Sequence, residues 1–172
     1  MESIYYVLSW ACHRRCKHCY EDKFRPYVRD ELKAVVGAAQ ENFPRIIANL
    51  PERLTYLDLE QPDDNAPGGY VERNSRIIVS GGEVLIDPVR ENILYPALEM
   101  IRDKYKAQGG VRLVVQTTGD LLTEKIIGEL LERGIYMISV AGMDDFHVGM
   151  EGEKRVPLQE RLTQWFKAAG MR

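Results

Sequence analysis

The chain has 172 residues, of which 45% are hydrophobic, and this length suits one globular domain, which we assign to residues 1–172. Its formal net charge is −3, and its Lys and Arg residues are interspersed among Asp and Glu, which excludes an extended basic surface for nucleic acid and a polybasic membrane signal. The N-terminal apolar run is too short to span a bilayer and has no signal-peptide features, so we expect a cytoplasmic protein.

Apolar strands and amphipathic helices alternate along the chain. Asp30, followed by apolar residues at helical spacing, predicts the cap of the first helix. A long second helix is expected to break or restart at Pro96, and Gly134 is expected to cap the third helix. The predicted strands are 4–9, 77–80, 111–119 and 135–142, and the predicted helices are 30–43, 89–107, 121–134 and 157–170.

One stretch departs from this alternation. Residues 51–75 combine a short alternating run, which ends near Leu59, with a segment rich in Pro, Gly, Asp and Asn. We interpret this stretch as a surface loop insertion that contains one extra strand.

Apolar strands that alternate with helices predict an α/β fold whose parallel sheet is built from right-handed βα units. In such a sheet the loops that follow the strands emerge on one edge, where α/β proteins place their sites. Four unusual loops follow the predicted strands: the cysteine loop, "SGGE", "TTGD" and "AGMDDFH". That edge is therefore the predicted functional site.

All the cysteines of the chain, Cys12, Cys16 and Cys19, lie in the stretch "WACHRRCKHCY". An odd number of thiols fits a disulfide framework poorly, whereas a reducing compartment keeps thiols available for metal. Four interpretations remain: a buried helical stripe, a redox Cys-x-x-Cys that leaves Cys12 unused, a zinc site completed by His13 or His18, and an iron–sulfur cluster with one open iron.

The spacing of the cysteines bears on the cluster interpretation. On a straight helix the outer sulfur atoms would be displaced by about 10 Å along the axis, so a compact cluster needs these cysteines on a curled loop. A loop at the end of a strand supplies that geometry. The positive charges of Arg14, Arg15 and Lys17 would lower the pKa values of the thiols and offset the negative charge of a cluster.

Two motifs in order resemble those of a known family. A C-x3-C-x2-C motif at the end of the first strand, followed by Gly-Gly-Glu at the end of the second, resembles the radical S-adenosylmethionine (SAM) superfamily. The resemblance covers roughly residues 1–150. It implies a (β/α)6 partial TIM-like barrel, of which about four βα units are present here before the chain stops.

The resemblance also implies cofactors, an oxidoreductase chemistry and partners. Cys12, Cys16 and Cys19 would ligate three irons of a [4Fe–4S] cluster, and SAM would chelate the fourth iron. An electron from the reduced cluster would cleave the sulfonium, and the resulting 5′-deoxyadenosyl radical would abstract hydrogen from a substrate. The implied partners are a small-molecule or peptide substrate and a reductant such as flavodoxin or ferredoxin.

Further residues match family positions near SAM. Gly81 and Gly82 would let the backbone approach the cofactor, and Glu83 would recognise its amino group. The other cofactor candidates are His18 and Tyr20 beside the adenine, Ser80 before the glycines, Thr117 and Thr118 after the third strand, and Ser139 on the fourth. The substrate-facing candidates are Asp144, Asp145 and His147.

The sequence departs from the family pattern in three places. Val84 stands where Gly-Gly-Glu-Pro is common, and Ala141 stands where the family often has Asp. The fifth and sixth strands are absent, so we expect a second copy of the chain or a further C-terminal segment to cover the open barrel edge. The alternative function is a non-catalytic zinc or iron–sulfur binding module derived from such an enzyme, but the complete set of cysteines favours the enzyme.

Overall fold

The computed structural model describes residues 1–141, 147 and 149–171. The strands are β1 (Ser3–Val7), β2 (Thr55–Pro62), β3 (Tyr70–Asn74), β4 (Arg76–Ser80), β5 (Arg112–Thr117) and β6 (Ile135–Val140). The α-helices are α1 (Arg29–Ala48), α2 (Asp87–Val89), α3 (Tyr95–Tyr105), α4 (Glu124–Glu132) and α5 (Val156–Ala168). Within the described residues, no helix is long and apolar enough to cross a bilayer.

The main sheet contains four strands in the order β1-β4-β5-β6, and every neighbouring pair is parallel. Helices follow the strands and cover one face of this sheet, which is consistent with part of a TIM-like barrel. The predicted α/β fold with a parallel sheet is confirmed. Because the strands are parallel, the loops after β1, β4, β5 and β6 leave from the same edge.

The core lies between this sheet and the helices. Ile77 and Val79 of β4 and Val115 of β5 are fully buried, as are Leu98 and Ile101 of α3. Burial of each aliphatic side chain of this kind stabilises the fold by roughly 1.5–3 kcal/mol. The strands are apolar because the helix layer covers their side chains. This packing stabilises the sheet and so keeps the carboxyl ends of the strands beside one another.

The helical segment after β4 restarts beside Pro96, as expected, and has no break there. It begins with α2, widens into a π-helical turn over Arg90–Leu94, and continues as α3. Pro96 lies in the first turn of α3, where its missing N–H costs little. The change of helical pitch before Pro96 takes the place of a break.

One helix end differs from expectation, and another agrees with it. The first helix begins at Arg29 and has Val28 at its N-cap position, so Asp30 lies inside the first turn and does not cap the helix. Gly134 follows the last residues of α4 with a left-handed φ of 82°, a conformation that glycine adopts without strain.

The insertion contains two strands instead of the one expected. Strands β2 and β3 pair antiparallel as a separate two-stranded sheet, with a register shift between Asp58 and Pro62. Leu54 accepts a hydrogen bond from the N–H of Ser75, directly before β4, and Thr55 accepts one from the N-terminal amine. The hairpin therefore lies at the amino ends of β1 and β4, away from the predicted functional edge.

Candidate functional site

The cysteine loop is a closed, curled segment. Ala11 forms a parallel bridge with Arg25, and the Cys12 N–H donates to the Arg25 carbonyl at 3.0 Å. Phe24 is buried at the base of the loop, and its ring lies 5.3 Å from the ring of Trp10 and 5.4 Å from that of Tyr20. Residues 12–24 contain no helix, which rules out the helical-stripe interpretation of the cysteines.

All three thiols line one cleft of about 250 Å³ at the carboxyl ends of the strands. This volume is just below the range of about 300–1,000 Å³ that is typical of small-molecule pockets. The residues that line the cleft are Cys12, Cys16, His18, Cys19, Tyr20, Phe24, Ser80, Gly81, Gly82, Gln116, Thr117, Thr118, Ala141 and His147. All four loops that the sequence placed at this edge contribute to its walls.

Gly81 and Gly82 pack closely against the backbone at the start of the cysteine loop. A Cβ atom on Gly82 would lie 2.3 Å from the Ala11 carbonyl oxygen and 2.9 Å from the Cys12 Cβ. A Cβ atom on Gly81 would lie 2.7 Å from the Ser9 carbonyl oxygen. The Gly82 N–H donates to that same oxygen at 3.0 Å. The missing side chains thus let this loop pack against the backbone that carries the first thiol.

Glu83 is 2% exposed and is not among the residues that line the cleft. Its Oε1 accepts hydrogen bonds from the Leu85 N–H at 3.0 Å and from the Thr117 hydroxyl at 2.7 Å. Its Oε2 accepts one from the Thr118 N–H at 2.7 Å. The buried carboxylate therefore joins the loop after β4 to the end of β5.

Asp120 joins the β5 loop to the cysteine loop. Its Oδ2 accepts hydrogen bonds from His13 Nε2 at 2.7 Å and from Arg14 Nη2 at 2.6 Å. The Thr118 Oγ1 lies 2.5 Å from Asp120 Oδ1 and 2.8 Å from Glu83 Oε2. A hydroxyl has one proton, so Thr118 donates to one carboxylate at a time. The two carboxylates and Thr118 form a continuous network beneath three loops.

This network shifts the ionisation of its members. The hydrogen bond to Asp120, followed by the interaction with the Cys12 thiol, raises the pKa of His13 to about 9. Burial acts to raise the pKa of Asp120, but hydrogen bonds from His13, Thr118 and Arg14 outweigh burial and hold that pKa well below its usual range. At neutral pH the loops are therefore joined by an ion pair between Asp120 and two cations.

The structure brings together most of the predicted site residues. The predicted residues that line the cleft are Cys12, Cys16, Cys19, His18, Tyr20, Ser80, Gly81, Gly82, Thr117, Thr118 and His147. Ser139 lies on β6 beside Gln116 and is not among the lining residues. Asp144 and Asp145 lie outside the described residues.

Three residues of the site were missed by sequence analysis. Gln116 lines the cleft, and its signal is a polar side chain inside an otherwise apolar strand. Phe24 also lines the cleft, at the closing end of the cysteine loop. Asp120 had a weaker signal, because a carboxylate after a strand and a glycine is usually a solvated turn residue.

The family comparison agrees with this geometry. The model of the radical SAM superfamily matches residues 6–172. The chain belongs to the radical SAM superfamily. No curated protein shows significant similarity to it. Radical SAM proteins typically bind a [4Fe–4S] cluster and SAM, so the cleft of this radical SAM protein is the candidate site for both.

The donor chemistry of the cleft fits such a cluster. Thiolates are the usual ligands of iron–sulfur clusters, and each iron takes its own thiolate. All three thiols are free and line the same cleft, and the Arg14 N–H donates to Cys12 Sγ at 3.4 Å. Within the described part of the chain, no three His, Cys, Asp or Glu side chains are grouped as a site for a single metal ion.

Proposed function

We propose that this radical SAM protein binds a [4Fe–4S] cluster through Cys12, Cys16 and Cys19 and cleaves SAM to begin hydrogen-atom abstraction from a substrate. The observation that supports the proposal most strongly is that the three thiols, the two glycines after β4 and the threonines after β5 line one cleft. When bound, the cluster would supply one electron to SAM.

The cysteine loop and the glycine loop would act together to hold the cofactors. The Arg14 N–H, which donates to Cys12 Sγ, would stabilise negative charge on that sulfur. Gly81 and Gly82 expose backbone to the cleft and would hold the methionine part of SAM near the thiols. This arrangement depends on the close contact of Gly82 with Ala11 and Cys12.

In addition to its predicted part in recognising the SAM amino group, we assign Glu83 the role of positioning the loops after β4 and β5. The carboxylate is buried and already accepts hydrogen bonds from Leu85, Thr117 and Thr118. An amino group in the cleft would therefore meet the polar groups of Ser80, Gly81 and Thr118 first.

The aromatic side of the cleft suits the adenine. His18 and Tyr20 line it, and the His18 ring makes an edge-to-face contact with His147 at 4.5 Å between ring centres. Such rings offer flat apolar surface for a base. We also propose that Ser139, on β6, contacts the ribose or the carboxylate of SAM.

The reaction class is an oxidoreductase-type hydrogen abstraction, and the proposed substrate is a small molecule or a peptide. We propose that the protein works in the cytoplasm, because three free thiols on one loop need a reducing compartment to stay available for iron.

Anaerobic reconstitution with iron and sulfide tests the proposal. Electron paramagnetic resonance of the reduced protein should show a cubane signal that shifts when SAM is added, and product analysis should detect 5′-deoxyadenosine. The Cys16→Ser variant should lose the signal, whereas Thr163→Ala, which changes an exposed hydroxyl on α5 that does not line the cleft, should keep it. Uptake of zinc without a cluster would instead favour the non-catalytic metal-binding module.

A further inference from the structure

The face of the main sheet that is turned away from the helices carries a row of uncharged polar side chains. The core residues of β4 and β5 pack toward the helices, so the residues that alternate with them point to the opposite face. On this face one row across β4, β5 and β6 is apolar and consists of Ile78, Val114 and Met137. The next row, nearer the carboxyl ends, consists of Ser80, Gln116 and Ser139. The polar row therefore begins at the level of the cleft, which Ser80 and Gln116 line.

Gln116 lies at the centre of this row, because β5 runs between β4 and β6. Its side chain is half-buried and lines the cleft. Within the part of the chain that the structure describes, the Gln116 amide makes no hydrogen bond, and neither do the hydroxyls of Ser80 and Ser139. The glutamine side chain is two carbon atoms longer than that of serine. Its amide can therefore extend further from the sheet than either hydroxyl and meet a bound molecule.

The charges around the cleft indicate what kind of group this amide can recognise. The described side chains that line the cleft include no Asp, Glu, Lys or Arg. The nearby carboxylates Glu83 and Asp120 already accept hydrogen bonds from other segments. Protein sites for carboxylates and phosphates typically use Arg or Lys. The floor of the cleft therefore suits a neutral polar group better than an anionic one.

The geometry of the amide narrows this choice. A glutamine amide presents N–H donors and a carbonyl acceptor in one plane. It forms a pair of hydrogen bonds with a molecule that carries a donor and an acceptor on one edge, as it does with the edge of adenine. A ring lactam and a primary carboxamide have such an edge. A trans peptide bond has none, because its N–H and C=O point in opposite directions.

SAM itself offers Gln116 a poorer match than such a substrate. The amino and carboxylate groups of its methionine part are charged, and neither carries a donor and an acceptor on one edge. Its adenine has such an edge. However, His18 and Tyr20, which we propose to lie beside the adenine, belong to the cysteine loop after β1, whereas Gln116 lies on β5. The amide is therefore left for the substrate.

We propose that Gln116 selects the substrate by pairing its amide with a ring lactam or a primary carboxamide of that molecule. This inference rests on the proposed function, because it places the substrate of that reaction in the same cleft. Gln116 would orient the substrate through two hydrogen bonds and would transfer neither a proton nor an electron.

Binding of matched probes tests this assignment. Anaerobic calorimetry of the reconstituted protein with SAM would compare uracil with 1,3-dimethyluracil, and nicotinamide with N,N-dimethylnicotinamide. Methylation removes the N–H donors and keeps the carbonyl groups. The original protein should bind one unmethylated probe on the order of tenfold more tightly than its methylated analogue. The pair that shows this preference identifies the lactam or the carboxamide as the recognised group.

Two variants and a control locate the preference. Gln116→Leu removes the amide at similar size and should abolish the preference. Gln116→Asn keeps a shorter amide and should retain part of the preference, which a merely structural role would not produce. The control Gln40→Leu changes an exposed amide on α1 and should bind the probes as the original protein does.

The possible failures are distinguishable. Equal binding of methylated and unmethylated probes by the original protein would overturn the proposal, as would a preference that Gln116→Leu retains. Loss of SAM affinity in Gln116→Leu but not in Gln116→Asn would assign the amide to the cofactor instead. Failure of the original protein to form a cluster would reject the proposed function, and the same comparison of probes on the metal-free protein would still decide whether Gln116 recognises such a group.

Discussion

The two edges of the main sheet hold their carboxylates in different ways. At the carboxyl ends of the strands, Glu83 and Asp120 lie within loops and accept hydrogen bonds from residues distant in sequence. At the amino ends, Asp58 lies on the hairpin, and its Oδ2 is 2.7 Å from the Nε of Arg73 on the neighbouring strand. The first edge uses carboxylates to join separate segments, whereas the second uses them within one hairpin.

This difference suggests how the chain builds its site. The partners of Glu83, Thr117 and Thr118, are separated from it by 34 and 35 positions in the sequence. The partners of Asp120, Arg14 and His13, are separated from it by 106 and 107 positions. Asp58 and Arg73 are only 15 positions apart. Loss of the Glu83 carboxylate leaves buried donors without an acceptor, whereas water can reach both Asp58 and Arg73 once their pair is lost. Substitutions at the two edges should therefore differ sharply in effect.

Replacement of Glu83 by Ala should have the largest effect. It would leave the Leu85 and Thr118 N–H groups and the Thr117 hydroxyl without an acceptor, and each buried unsatisfied group costs about 1–3 kcal/mol. We expect a loss of at least about 3 kcal/mol in the free energy of unfolding, measured by urea denaturation of the metal-free protein.

The matched control for Glu83 is Glu41→Ala, which changes an exposed carboxylate on α1. It should leave the stability within about 0.5 kcal/mol of the original. Equal effects of the two substitutions would show that the buried carboxylate does not join the loops.

Replacement of Gly82 by Ala should have the next largest effect. Its Cβ atom would lie 2.3 Å from the Ala11 carbonyl oxygen, so the backbone of one loop must move, at a cost of about 1–3 kcal/mol. Because Cys12 follows Ala11 directly, iron uptake on reconstitution should also fall, which iron and sulfide analysis would measure.

Gly128→Ala is the control for the glycine site. Apart from the neighbouring backbone of α4 itself, no described heavy atom lies within 4 Å of its Cβ position. An alanine there should stabilise the protein by roughly 0.5–1 kcal/mol and leave iron uptake unchanged. If Gly82→Ala kept the original iron content, the close packing of the two loops would not be needed for the metal site.

The contrast between the edges also shows what sequence analysis could find. The parallel sheet was predictable because β1, β4, β5 and β6 are short apolar runs separated by helical patterns. The cleft was predictable because parallel strands bring their following loops to one edge. The network of Glu83 and Asp120 was not predictable. Its hydrogen bonds join side chains more than 30 positions apart for Glu83 and more than 100 positions apart for Asp120, and no local sequence pattern indicates such contacts.

The hairpin shows the opposite limit. Strand β3 spans only Tyr70–Asn74 and contains Glu72, Arg73 and Asn74, so it lacks the apolar pattern by which a strand is recognised. Its antiparallel pairing with β2 stabilises it as a strand, because cross-strand contacts contribute to strand stability where the sequence has no apolar pattern. Local sequence patterns therefore identified the strands with apolar or alternating residues and missed the strand without such a pattern.

Replacement of Asp120 by Asn tests the buried edge with a smaller change. Loss of the charge weakens the contacts with His13 and Arg14, and we expect a loss of about 1–2 kcal/mol at neutral pH in the metal-free protein, since the site is partly solvated. The pKa of Asp120 is lowered in the folded state, so its stabilisation is present above the unfolded pKa of about 4 and is lost as the pH falls below it.

The stability difference between the original protein and Asp120→Asn should therefore shrink as the pH falls below about 4. Urea denaturation at several pH values would measure this difference. A difference that stayed constant with pH would mean that the charge of Asp120 does not stabilise the loops.

Replacement of Asp58 by Asn should have the smallest effect of the series. The hydrogen bond from Arg73 lowers the pKa of Asp58, so the carboxylate is ionised at neutral pH, but Asp58 and Arg73 both stay partly exposed to solvent on the hairpin. Water can solvate both groups once the pair is lost, and the uncharged amide side chain of the variant still offers an oxygen to Arg73. We expect no measurable change in unfolding free energy or in SAM binding, and a loss as large as that of Asp120→Asn would show that both edges depend on their carboxylates alike.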